Sequence, residues 1–270
     1  MNYDVIIIGA GPCGIFTALE LKKINPNTSI LILEKGNSIK KRICPKRKTG
    51  VCIGCKPCNI TTGFAGAGAY SDGKLSLSPG VGGNLPAYLG YEETQNLINY
   101  VDDIYIKFGA DKTIYGIDKE EEIRNIRKKA INANLKLVEC PIRHMGTEEG
   151  YNIYSRIEDY LMQLGVHLKF RNPVKDILLD ENETLIGVLA DQEYYSEKVV
   201  VSVGRDGSDW LRELCIDRKI NTTPGDMDIG VRVETRNEVM EELNNAMYES
   251  KLIYYTPTFD DKVRTFCSNP

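Results

Sequence analysis

Near its N-terminus the chain carries Val5-Ile6-Ile7-Ile8-Gly9-Ala10-Gly11-Pro12-Cys13-Gly14, an apolar run that meets glycines spaced G-x-G-x-x-G. No other stretch constrains the fold as much. A helical pattern follows in which Ile15, Ala18, Leu19 and Leu21 can face a sheet, so the stretch predicts strand, tight turn and helix. In such a unit Gly9 permits the turn, Gly11 lets a pyrophosphate approach the backbone, and Gly14 lets helix and strand pack closely. The helix N-terminus adds unpaired N–H groups for the phosphates. Pro12 and Cys13 belong to the same turn, where the small Cys13 side chain fits below a pyrophosphate. A second strand, Ser29 to Leu33, ends in Glu34 and Lys35, with Glu34 twenty residues after Gly14. A carboxylate at that spacing accepts hydrogen bonds from a ribose hydroxyl, so the pattern points to an adenosine dinucleotide.

A nucleotide-binding domain of the simplest kind would soon give another helix and a third parallel strand. Here residues 36–90 are rich in Cys, Gly, Pro and Lys, and read as loops and short turns. Helices are expected at 91–108 and 118–134, a strand at 135–141, and a helix capped by Thr147 that runs to Leu164. A strand at 166–170, a hairpin of 174–179 and 184–189, a buried strand at 198–203 and a helix at 206–218 come next. The tail reads as a strand at 228–234, a helix at 238–248 and strands at 252–255 and 263–267. The fold class is therefore α/β. Residues 1–85 and 135–225 form a discontinuous dinucleotide-binding domain with a Cys-rich loop at 40–62, 86–134 a helical insertion, and 226–270 the beginning of a mixed second domain. A chain of 270 residues is long enough for two such cores.

A net charge of −4 with scattered Lys and Arg gives no reason to expect nucleic acid or an anionic membrane as partner. The basic run Lys40, Lys41, Arg42, Lys46, Arg47 and Lys48 is most simply a solvated loop, and it can also counter thiolates or a phosphate. No signal-peptide pattern precedes Val5, so a cytoplasmic chain with thiols rather than structural disulfides is expected.

Cys52-x2-Cys55-x2-Cys58, with Cys44 upstream and followed by proline, places four thiols in fifteen residues. Such a set suits a tetrahedral zinc or an iron–sulfur cluster. Two alternatives stay open: a redox dithiol at Cys52 and Cys55, and four reduced thiols without a ligand. Gly63-Phe64-Ala65-Gly66-Ala67-Gly68-Ala69 carries small side chains whose backbone can lie against a flat ring or a phosphate. Its companion Ser71-Asp72-Gly73-Lys74 offers a hydroxyl and a cation. Gly204 closes the late strand, where a cofactor at the carboxyl edge of a sheet would lie. His144 is expected in a loop, where an imidazole can give or take a proton. His167, Arg232 and Arg264 are more simply structural. Cys140, Cys215 and Cys267 are expected in the core.

Taken together, the chain resembles the uncharacterised bacterial FAD-dependent dehydrogenases of the NAD(P)/FAD-dependent oxidoreductase superfamily. The likeness rests on Gly9 to Gly14 with Glu34, Ile43-Cys44-Pro45 through Cys58, Gly66 to Leu75, and Asp228 to Glu234 with Val263 to Cys267. Arg143 to Thr147 adds support. The resemblance implies a glutathione-reductase-type FAD domain and FAD as cofactor. Gly9, Gly11, Gly14 and Glu34 would hold the adenosine diphosphate half, and Gly66, Gly68, Ser71 and Lys74 would meet the riboflavin half. It implies hydride transfer between flavin and a small organic substrate, with a redox partner if the cysteines hold a cluster. Members usually complete the flavin site with a late Gly-Asp segment that does not follow Asp228 here, so an N-terminal portion of a longer protein is expected.

Overall fold

The computed structural model describes residues 1–71, 73–225 and 227–265, without the side chain of Thr147. The expected cap at Thr147, Asp72, and the strand end and core position at Phe266 and Cys267 lie outside the described residues. In chain order the first elements are β1 (Val5–Ile8), α1 (Pro12–Ile24), β2 (Ile30–Glu34), α2 (Lys46–Thr49), β3 (Lys74–Ser76), α3 (Pro86–Leu89), α4 (Tyr91–Lys107) and α5 (Glu120–Asn132). Then come β4 (Lys136–Val138), β5 (Ile142–His144), α6 (Gly146–Gln163), β6 (His167–Phe170), β7 (Asp176–Leu179), β8 (Leu185–Leu189) and β9 (Glu193–Tyr195). β10 (Val199–Val201), α7 (Ser208–Asp217), α8 (Asn237–Met247), β11 (Lys251–Tyr255) and β12 (Lys262–Arg264) complete the order. Single 3-10 turns occur at Ile39–Lys41, Gly66–Tyr70 and Arg205–Gly207.

Two compact units share the chain, one of residues 1–73 and 147–226 and the other of 74–146 and 227–270. The first is built on a parallel sheet in the order β10-β1-β2-β6. Its central strands, Val5–Ile8 and Ile30–Glu34, are buried along their whole length, as parallel strands covered on both faces must be. Alternation divides their side chains. Ile6, Ile8, Leu31 and Leu33 pack with Val188, Ala190 and Tyr194, whereas Ile7 lies on the side of α1, close to Gly14. The antiparallel sheet β7-β8-β9 covers the first face. This three-stranded excursion lies in the chain between β6 and β10, where the sequence places its hairpin. Each fully buried Ile or Leu contributes on the order of 2 kcal/mol to the layer.

The second unit joins α5, β4, α8 and β11. β4 pairs with β11 antiparallel, so Leu137 lies opposite Leu252, and Ile126, Ala130, Leu137, Ala246 and Met247 form one buried cluster. Segments 86–134 and 227–270, separated in the sequence-based division, thus belong to the same unit. Buried Arg143 anchors this unit by donating from Nε and Nη2 to the two carboxylate oxygens of Asp102 on α4.

Four expectations are corrected. The late strand foreseen as buried at 198–203 is β10, half-buried at Val199 and Val200 and 39% exposed at Val201, because it is an edge of the parallel sheet. The strand foreseen at 135–141 is shorter: β4 covers Lys136–Val138 and ends before Pro141, whose missing N–H cannot serve a continuous ladder, and a separate strand, β5, begins at Ile142. His144 accordingly lies in β5, opposite Lys74 of β3, and not in a loop. The segment foreseen as a strand at 228–234 is irregular, and Ile229, Val231 and Val233 are 92%, 87% and 75% exposed. Its alternation is that of a half-buried strand, but among the described residues no strand pairs with it. Loops and turns dominate 36–90 as expected, with α2, α3 and β3 as short exceptions.

Candidate functional site

The turn between β1 and α1 lies at the carboxyl end of the parallel sheet, and three different physical demands act on its glycines. Gly9 has a φ of +101°, which an L side chain rarely adopts. Gly14 has no room: a Cβ there would stand 2.1 Å from the Gly9 carbonyl oxygen and 2.8 Å from Ser202 Oγ. Gly11, the residue that caps α1, has ordinary extended backbone at φ −75°, and nothing lies within 4 Å of the position its Cβ would take. Pro12 begins the helix, where its missing N–H costs nothing, and Cys13 beside it is exposed. Ser202, just beyond β10, donates its hydroxyl to the carbonyls of Ile8 at 2.9 Å and Gly9 at 3.0 Å, fastening the turn from the neighbouring strand.

Glu34 ends β2 and is 6% exposed. One carboxylate oxygen accepts the Ala10 N–H at 2.8 Å and the other the Gly36 N–H at 2.7 Å. The residue foreseen as the ribose partner thus also holds the middle of the glycine turn. Each carboxylate oxygen has a second lone pair, so accepting from the backbone leaves capacity for hydroxyls.

The small-residue loop lies against this turn. Ala65 donates its N–H to the Ala10 carbonyl at 2.7 Å, and a Cβ on Gly66 would stand 3.6 Å from Gly11 Cα and 3.7 Å from Pro12 Cδ. What shapes the loop is Arg42, 2% exposed. Its Nε donates to Asn59 O at 2.9 Å, Nη2 to Ile60 O at 2.7 Å, and Nη1 to both Phe64 O and Gly66 O at 2.6 Å. Burial pulls this guanidinium below its ordinary pKa, opposed by Tyr70, Glu34 and Cys58 nearby. Tyr70 lies under two cations, with the guanidinium carbons of Arg42 and Arg47 each 4.9 Å from its ring centre. Gly68 lies close to Tyr154, and Ser71 donates to the Gly68 carbonyl at 3.2 Å.

A third strand end closes the constellation. Gly204 leads into the turn Arg205–Gly207, and Asp206 accepts the ammonium of Lys35 at 2.5 Å and the hydroxyl of Thr62 at 2.9 Å. Lys35 therefore ties two strand ends together. The carboxyl of Asp206 is held below its ordinary pKa chiefly by Lys35, with help from Thr62.

Other foreseen residues lie elsewhere. Lys74 and His144 belong to the second unit. There Lys74 Nζ pairs with Glu249 at 3.1 Å and lies 5.6 Å from the ring centre of Tyr248. His144 Nε2 shares a 3.2 Å hydrogen bond with Tyr248 Oη, and their rings lie tilted at 37° with centres 4.9 Å apart. Tyr248 has a φ of +54°, unusual for a bulky residue. His167 is hydrogen-bonded to Tyr3 at 2.9 Å, while Arg264 pairs with Asp228.

The foreseen ligand set is not assembled. Cys44, Cys52, Cys55 and Cys58 are all free thiols, and among the described residues no group of three or more His, Cys, Asp or Glu is placed to hold a metal ion. Cys58 instead turns its sulfur toward the N–H groups of Ile60 and Thr61, which lower its pKa. Cys140 and Cys215 are buried as expected.

Comparison with protein-family models and with curated protein sequences gives no match. Solved structures do. The chain is similar to the L-amino acid deaminase from Proteus vulgaris with a TM-score of 0.47 and 16% identity, over 82% of this chain and 50% of that one. It is similar to the 3-ketosteroid-delta4-(5alpha)-dehydrogenase from Rhodococcus jostii RHA1 with a TM-score of 0.46 and 16% identity, over 75% and 46%. For the glycine oxidase from Bacillus cereus ATCC 14579 the TM-score is 0.45 at 17% identity, over 80% and 58%. The chain spans about half the length of the solved structures it matches. Among the described residues no helix is long and apolar enough to cross a membrane.

Proposed function

We propose that the first unit binds FAD and that the protein is an FAD-dependent oxidoreductase acting on a small organic substrate. The observation that carries this reading is the seating of Ala65 and Gly66 on Ala10 and Gly11, which brings a second small-residue backbone to the glycine turn. A lone glycine turn would suit any nucleotide. A turn flanked by a second bare backbone, by Glu34 and by the Gly204 strand end suits a longer ligand with a flat ring at one end.

The residues fit such a group. Space stands open over Gly11, and the N-terminus of α1 offers unpaired N–H groups beside it. Gly9, Gly11, Pro12, Cys13 and Gly14 would receive the pyrophosphate, and Glu34 the ribose hydroxyls. Gly66, Gly68, Ser71 and Gly204 would line the remainder. Lys35 acts through Asp206 as a positioning residue. When bound, FAD would supply the capacity to accept or donate a hydride. The chain's own work is to hold phosphate on backbone dipoles and to keep the loop rigid through Arg42. Within the second unit, His144 and Tyr248 form a hydrogen-bonded pair that can pass a proton between Nε2 and Oη.

Titration of FAD into the 270-residue chain, followed by flavin fluorescence, tests the reading. Saturable binding that Gly11→Ala weakens is expected; a chain that takes up neither FAD nor ADP overturns it.

A further inference from the structure

A cavity of about 420 Å³ lies in the first unit, lined by Arg47 of α2, Ala69 and Tyr70 of the 3-10 turn, and Glu148, Tyr151 and Asn152 of α6. Its volume is that of a small-molecule site. The sequence explains how the walls arise. Glu148, Tyr151 and Asn152 are spaced i, i+3, i+4 and so share one face of α6. Arg47 is held by its stacking on Tyr70, which itself continues the loop seated on the glycine turn.

Arg47 and Glu148 are both exposed, lie on different elements, and have no ion-pair partner among the described residues. The basic residues of this loop that do have partners use other acids, as Lys40 does with Asp159 at 2.6 Å. A guanidinium and a carboxylate that line one cavity without meeting each other form a dipolar receptor. The guanidinium matches a carboxylate in geometry as well as charge, the carboxylate matches an ammonium, and the ring of Tyr151 offers contact to an apolar or planar body, the ring of Tyr70 being taken up by Arg42 and Arg47.

We propose that this cavity binds a small zwitterion of the amino-acid type, its carboxylate on Arg47, its ammonium on Glu148 and its side chain against Tyr151. The inference deepens the flavin reading by naming a substrate class, and as a substrate site it rests on that reading. Binding itself requires no flavin.

The test is therefore made without flavin. Phenylalanine of either hand, 3-phenylpropionate and phenethylamine are titrated into the chain by ligand-observed NMR. The three share a ring and differ in which charges they carry. Phenylalanine of at least one hand should bind at least about tenfold more tightly than either analogue. Arg47→Gln should reduce it to the level of phenethylamine, and Glu148→Gln to that of 3-phenylpropionate. Both residues are exposed, and unchanged thermal melting shows that the variants fold. Equal affinity for all three probes, no saturation by either hand up to about 20 mM, or an unchanged preference in both variants overturns the proposal. If FAD binding fails while the zwitterion preference holds, the flavin reading falls and the cavity stands; the reverse result removes only the cavity.

Discussion

Gly11 and Gly14 belong to one turn, yet the same substitution at each should have opposite consequences. At Gly14 a methyl carbon would meet the Gly9 carbonyl oxygen at 2.1 Å, Ser202 Oγ at 2.8 Å and Ile7 Cγ2 at 3.1 Å. Two of these neighbours are held: the Gly9 oxygen accepts the Ser202 hydroxyl, which also binds Ile8 O. Relief needs α1 to move by about 1 Å, an overpacking cost of about 1–3 kcal/mol. Weakening the Ser202 bonds adds about 1–2 kcal/mol, and better helix propensity returns about 1 kcal/mol. Gly14→Ala should therefore destabilise the first unit by about 3 kcal/mol, lowering its urea midpoint by about 1.5 M for a slope near 2 kcal/mol/M. At Gly11 the backbone is ordinary and the space empty, so Gly11→Ala should leave the midpoint within about 0.5 kcal/mol of the wild type. Its methyl would stand where the proposed site receives phosphate, so affinity for ADP should fall by about tenfold or more. Urea unfolding followed by circular dichroism and nucleotide titration on the same preparations read both effects. A Gly14→Ala chain that unfolds with the wild type, or a Gly11→Ala chain that keeps its affinity, would refute the assignment of crowding to one glycine and ligand approach to the other.

Further outcomes follow from other contacts. Arg42→Lys leaves three donors for four carbonyls, should cost about 2–3 kcal/mol, and should speed proteolytic nicking within 43–62, read by mass spectrometry. Glu34→Gln can satisfy only one of the Ala10 and Gly36 N–H groups, so nucleotide affinity and the urea midpoint should fall together, the latter by about 1–2 kcal/mol in free energy. Asp206 has a depressed pKa in the folded chain, so its contribution is present above the ordinary carboxylate value and is lost as pH falls through the depressed one. With its side chain 49% exposed, screening keeps this below about 1 kcal/mol, and Asp206→Asn should flatten the acid limb of a melting-temperature profile. Cys58 carries a lowered thiol pKa through the N–H groups of Ile60 and Thr61, so its alkylation by iodoacetamide should rise at lower pH than that of an ordinary exposed thiol.

Much of the first unit was legible because its residues obey local rules. Four apolar residues before Gly9 can only be a buried strand, and the positions of Gly14 and Glu34 relative to it follow from one strand–turn–helix–strand unit. Arg42 was not legible. In a run of Lys and Arg it has the pattern of solvated charge, and its burial depends on four carbonyls that converge only after the loop has folded. Ser202 left only a weak trace: a lone hydroxyl in the apolar run Val199-Val200-Val201-Ser202-Val203 needs an acceptor where it is covered, and β10 is no more than half-buried. The cysteine spacing allowed a ligand set, but spacing does not say where sulfurs point, and Cys58 is turned to its own following residues. The cavity beside Tyr70 could not be foreseen, because α2 and α6 are about a hundred residues apart in the chain.

The pairing of Ile6 with Val199 also gives the glycine turn a birth time. β1 is synthesised well before its partner: the strand that supplies one edge of it, and the serine that fastens the turn, are made about 190 residues later. At translation speeds of about 5–20 residues per second, the apolar edge of Val5–Ile8 stays open for roughly 10–40 seconds. During that interval the whole 74–146 segment of the other unit is synthesised. A cell making this protein must shelter the open edge of a fully buried strand for longer than most single domains take to fold.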